Sequence, residues 1–242
     1  MKKLICTTIA LLMATVFTQA EVTTSYFDDE FNDSDWQMLL VPVGLGGSIS
    51  SDHVSSGGNP GAYRQINNVV NPAPAGPDVS AIFGFHGKVG ADYDMATMGV
   101  INAIDFSIDY KSIYSSFGGQ AFGITIKQDD VYYVQRQYTY AVFNWQTSLN
   151  TGLLASDFSE LLFDSENLAL DYNSNPDFSA SGSLISFGFY TANSTGTSSS
   201  SPQPKTIAYD NWSVVVNPVP EPASFLLLTS SLPLFLRRLK NN

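Results

Sequence analysis

Alternation of apolar and polar residues, repeated through the middle of the chain, confines it to strands. Over 100–110, Ile104, Phe106, Ile108 and Tyr110 fall on one face and Asp105, Ser107 and Asp109 on the other. That period of two is what a half-buried strand requires. Phe122, Ile124 and Ile126 repeat it, as do Ile185, Phe187 and Phe189, and then Trp212, Val214 and Val216. Further strands are expected near 22–27, 36–43, 62–70, 79–86 and 130–143. Turn formers separate them at 57–61, 72–77 and 117–119, and the Ser-rich stretch 193–205 reads as a loop. Only 151–170 has room for a short helix, with Ser156 or Asp157 as its cap. No repeat of solenoid or propeller length is present. The fold expected is all-β: a single jelly-roll or concanavalin-like antiparallel β-sandwich, with an immunoglobulin-like sandwich as the alternative. The length favours the jelly roll.

The 242 residues carry 11 Lys+Arg and 22 Asp+Glu. Lys2, Lys3, Arg237, Arg238 and Lys240 lie in two end segments, as does Glu221, so 21–217 holds six bases against 21 acids, a net charge of −15. A surface of that sign excludes nucleic acid as a partner, because phosphate contacts need clustered cations. The single cysteine, Cys6, lies in the N-terminal segment. The domain therefore has no disulfide, thiol nucleophile or Cys-ligated zinc to draw on.

The ends read as addresses. Residues 1–20 combine Lys2 and Lys3, an uncharged apolar run and Thr18-Gln19-Ala20. That is the pattern of a secretory signal peptide cleaved between Ala20 and Glu21, engaging the Sec translocon and signal peptidase. Residues 21–217 form the sandwich, and 218–242 hold Pro220-Glu221-Pro222, 14 uncharged residues from 223 to 236, and Arg237, Arg238 and Lys240. A 14-residue helix is about 21 Å long, enough to span only a thinned bilayer, with the basic tail kept cytoplasmic. A Pro-Glu-Pro block, an apolar segment and a terminal Arg cluster, in that order, resemble the PEP-CTERM sorting signal. The apolar segment is short for that family and interrupted by Pro233. The resemblance implies an exported protein of a Gram-negative bacterium, recognised by an exosortase. It would be anchored transiently in the inner membrane by a short transmembrane segment and end at the cell surface or in the extracellular matrix.

Two clusters in the domain carry candidate chemistry. The run 28–35 is the densest set of oxygen ligands, and calcium takes six to eight of them. Jelly-roll carbohydrate-binding modules, which the domain resembles, often hold a structural calcium between first and last strands. On that resemblance Asp28, Asp29, Glu30 and Asp210 are candidate ligands; a solvated acidic loop is the alternative. The stretch 131–140 puts Tyr132, Arg136, Tyr138 and Tyr140 on one strand face, a candidate platform for stacking sugars. The alternative there is a core strand with hydroxyls at its rim. Trp36, Trp145 and Trp212 read as core, and His53 and His86 as surface-loop residues. No catalytic motif is present: Gly-x-Ser-x-Gly and His-Glu-x-x-His are missing, and Glu160 and Glu166 form no recognisable acid pair. The expectation is a non-catalytic surface or matrix protein that binds extracellular polysaccharide. The alternative is a secreted glycoside hydrolase or polysaccharide lyase on the same fold.

Overall fold

The structure, a computed structural model, describes residues 23–73, 80–115, 120–139, 141–164, 167–195 and 200–219. Thr23–Pro218 forms one compact unit. Ala20, Glu21, Tyr140, Pro220, Glu221, Pro222, Arg237 and Arg238 lie outside the described residues, as does the apolar run 223–236. Among the described residues no helix is long and apolar enough to cross a membrane.

The unit is built from β1 (Thr24–Asp28), β2 (Trp36–Gly44), β3 (Gly47–Val54), β4 (Tyr63–Val70), β5 (Ser80–Tyr93), β6 (Ile101–Ser115) and β7 (Gln120–Gln128). It continues with β8 (Val131–Val134), β9 (Gln137–Thr139), β10 (Gln146–Leu153), β11 (Ser159–Phe163), β12 (Leu168–Asp171), β13 (Ile185–Thr195) and β14 (Gln203–Pro218). A four-residue helix, α1 (Met95–Met98), starts where the Asp94 carboxylate accepts the Ala96 amide at 3.0 Å. The described strands form two antiparallel sheets. One runs β10-β6-β14-β4-β3, with β1 also on β14; the other runs β12-β11-β8-β7-β13-β5-β2, with β9 also on β7. The chain passes repeatedly from sheet to sheet, giving a jelly-roll sandwich.

Alternation sorts the side chains as expected. Ile104, Phe106, Ile108, Phe122, Ile124, Ile126, Phe187, Phe189, Val214 and Val216 are buried between the sheets. Trp36 anchors this core, packed against Phe31, Phe189 and Trp212 at ring separations of 5.1, 5.3 and 5.3 Å. Trp145 is different. It is half-buried beside Tyr63, with the Lys111 ammonium 4.4 Å from its ring.

Two other expectations are corrected. His86 is not on a surface loop. It sits on the core face of β5, fully buried and stacked on Phe189 at 4.7 Å. Burial, and secondarily the Arg64 charge, push its pKa well below the usual histidine range, so it is held neutral. The stretch 151–170 holds no α-helix among its described residues. A single 3-10 turn, Ala155–Asp157, is closed by the Asp157 carboxylate on the Leu154 amide at 2.8 Å, and then β11 and β12 pair as a hairpin. Leu161, Leu162 and Phe163 gain more from joining the sheet than from one helical turn.

Candidate functional site

The eight-stranded sheet departs from simple alternation. Its face away from the main core is also apolar. Val41, Val43, Ala81, Phe85, Val134, Leu161, Tyr190 and Ala192 form a second buried cluster there, flanked by half-buried Phe83, Ala121, Tyr132, Leu168 and Leu170. A flat sheet would hold β11 and β5, four strands apart, at about 19 Å. Instead the Phe163 and Phe85 rings lie 6.4 Å apart. The sheet is curled, and the β11–β12 hairpin folds over its concave face.

The face carries two depressions, and the larger, walled by the hairpin, forms a groove. The larger, about 480 Å³, has an alanine floor. Ala192 of β13 lies opposite Ala121 of β7 and Phe83 of β5, and Ser194 opposite Ala81. Methyl groups at these positions leave depth that larger side chains would fill. Phe83 and Tyr190 stack at 5.6 Å on one side. Leu161, Leu168, Leu170 and Tyr172 of the hairpin and its exit wall the other, with Tyr138 and Arg136 nearby. Tyr138 and Tyr172 are 54% and 67% exposed. A second depression of about 350 Å³, lined by the stacked pair Phe85–Tyr132, 4.2 Å apart, lies over Met38, Leu39, Thr125 and Ser186.

Arg136 owes its place to a break in the strand. β8 and β9 lie end to end along one edge of β7, pairing with 125–128 and 120–122. The chain steps between them at 135–136, where the Gln135 amide still bonds Ile124 O at 3.2 Å. The crossing is so close to β7 that a Cβ on Gly123 would meet Gln135 O at 2.3 Å, which requires glycine there. The guanidinium lies near enough to Tyr190 for its charge to favour the phenolate. Burial dominates, however, and pushes the Tyr190 hydroxyl up to about 12. At the far end of the groove burial lowers the Lys205 ammonium to about 8.

Three of the four residues expected to form a sugar platform thus reach this face. Arg136 and Tyr138 share the larger chamber, and Tyr132 lines the smaller. The sequence reading missed Phe83, Tyr172, Tyr190 and the alanine floor. For Ala81 and Phe83 the signal was the uncharged apolar run 81–85, which marks a strand buried on both faces.

Two of the four acidic candidates, Asp28 and Asp210, are engaged in contacts within the domain. β1 pairs with β14, setting Asp28 opposite Trp212. The Asp28 carboxylate is already taken: Lys88 Nζ donates to it at 2.6 Å, Trp36 Nε1 and the Phe31 amide at 2.8 Å, and the Glu30 amide at 3.0 Å. Asp29 and Glu30 point to solvent. Asp210, fully buried, accepts the backbone amides of Asn59 and Asn211. Burial raises its pKa, and the Asp109 and Asp29 charges add to the effect. Among the described residues no three His, Cys, Asp or Glu side chains are grouped to hold a metal.

No protein-family model matches the chain, and no curated protein matches it. Solved structures match at low identity and low TM-score. A family 11 carbohydrate-binding module from Clostridium thermocellum, in complex with a β-1,3-1,4-mixed-linked tetrasaccharide, is 14% identical, with a TM-score of 0.43 over 81% of this chain and 96% of that one. A family 30 carbohydrate-binding module of a cellulosomal cellulase from the same organism is 12% identical, at 0.44 over 78% and 96%. A protein of unknown function from Shewanella oneidensis MR-1 is 14% identical, at 0.41 over 90% and 96%. None of these figures bears on which residues form a site.

Proposed function

We propose that the domain is a non-catalytic polysaccharide-binding module whose ligand lies in the groove of the curled sheet. The observation that carries this is the groove itself: a depression with a small-residue floor, lined by exposed Tyr138 and Tyr172 and by Arg136. Ring faces meet the C–H faces of sugars, while phenol and guanidinium groups supply hydrogen bonds. Asp92 is the only carboxylate among the described lining residues, and it accepts from Ser186 Oγ at 2.6 Å. Glycoside hydrolysis as a rule requires two carboxyl groups flanking the scissile bond, so the lining favours binding without cleavage. The test is retention of the full-length chain in gels containing a polysaccharide panel, with new reducing or unsaturated ends assayed in parallel. Retention without product is expected, weakened several-fold by Tyr138→Ala and by Tyr172→Ala. Release of product, or retention indifferent to both substitutions, would overturn the reading.

We further propose that the protein is exported and sorted by an exosortase through 218–242. Support comes from the order of Pro220-Glu221-Pro222, the apolar run and Arg237-Arg238. Glu221 is the one charge in its window that a basic pocket could pair with. Glu221→Ala should accumulate a membrane-bound precursor heavier by the mass of the tail. Processing identical to the parent chain would leave the tail as a simple anchor.

A further inference from the structure

The groove's charges are unlike those of the domain that carries it. The stretch 21–217 has six cations among 21 acids. Arg64 pairs with Asp33 at 3.2 Å, Lys88 with Asp28 and Asp35 at 2.6 and 3.4 Å, and Lys127 with Asp130 at 2.8 Å. Lys111 donates to Gly57 O at 3.0 Å and lies over the Tyr63 and Trp145 rings. The other two cations, Arg136 and Lys205, both line the larger chamber, whose described lining contains no carboxylate. The described acids on either side of β12 have partners of their own. Asp164 accepts the Asn167 amide at 2.7 Å, and Asp171 accepts the Asn173 amide at 2.9 Å.

We infer that the chamber selects an acidic polysaccharide, one whose sugars carry carboxylates, over neutral chains. This rests on the groove being the saccharide site. A uronate stacked on Tyr138 or Tyr172 would present its carboxylate at the ring edge, where the Arg136 guanidinium can take it in a two-point bond. The net negative domain does not forbid this. At physiological ionic strength charges are screened beyond about 8 Å, so the two cations lining the chamber outweigh acids on distant faces.

The test is calorimetric titration of the full-length chain with galacturonate and alginate oligomers, each against its own carboxyl-reduced form. Linkage and length are then constant and only the charge differs. At least one uronate oligomer should bind ten-fold or more tightly than its reduced form, and raised salt should shrink that ratio. Arg136→Gln should bring the ratio to within about two-fold, a loss of roughly 1 kcal/mol of discrimination. Lys111→Gln, outside the groove, should leave the ratio intact. Equal binding of both forms, or a preference that survives Arg136→Gln, overturns the selectivity and leaves the saccharide reading standing. If a neutral polysaccharide of the wider panel also fails to bind, the saccharide reading falls as well.

Discussion

Asp28→Ala should cost the domain about 3–5 kcal/mol, the range for breaking a buried ion pair from one side. The substitution leaves the Lys88 ammonium, 15% exposed, with only the more exposed Asp35 at 3.4 Å. It also leaves the Trp36 indole N–H without its acceptor in the interior. The Phe31 and Glu30 amides lose theirs too, loosening the turn that seats Phe31 on Trp36. For a domain of this size the melting midpoint should fall by roughly 6–20 °C. Asp29→Ala, one residue on and exposed, should shift it little. Burial works to raise the Asp28 carboxyl, but the hydrogen bonds from Lys88, Phe31 and Trp36 outweigh it and hold the group below the usual range. A depressed folded-state carboxyl contributes stability above the unfolded pKa and loses it as pH falls through the folded one. The parent should therefore show an acid-dependent loss of stability that Asp28→Ala lacks. Equal midpoints for the two variants would mean that Asp28 is not the fastening described.

The second large effect concerns the groove. Ala121→Trp should reduce saccharide affinity about 100-fold, some 2.7 kcal/mol, with the melting midpoint close to the parent's. Ala121 lies opposite Ala192 on the chamber floor, and its side chain faces the groove rather than the main core. An indole there occupies the space a sugar ring would use, while Phe122 and Ile124 remain buried on the opposite face. Undiminished binding in a folded Ala121→Trp protein would place the ligand elsewhere.

Much of this architecture is written locally. The two-residue period over 104–110, 122–126, 185–189 and 212–216 specified which side chains meet in the core, because a one-residue slip would expose all of them. The groove is less legible, since its chamber brings together residues as distant in sequence as Ala81, Arg136, Tyr172 and Lys205. Only the curl of the sheet joins them. The 131–140 strand showed its aromatic face, but not that it breaks into β8 and β9 around Gly123. The acidic run 28–35 showed its charge density, but not that Lys88, sixty residues on, claims Asp28. Reading His86 as a loop residue failed for a related reason. Flanking glycines, which usually mark turns, here lie within a strand, and a Cβ on Gly84 would come 2.7 Å from Ile49 Cδ1.

The claim that the curled sheet's concave face is the saccharide site is tested most directly by a crystal structure of the domain with a retained oligosaccharide. The account predicts sugar density along the Ala121–Ala192 floor, with rings against Tyr138 or Tyr172 and a polar substituent within hydrogen-bond reach of Arg136. Density on the six-stranded sheet, or across a facing pair of carboxylates, would contradict it.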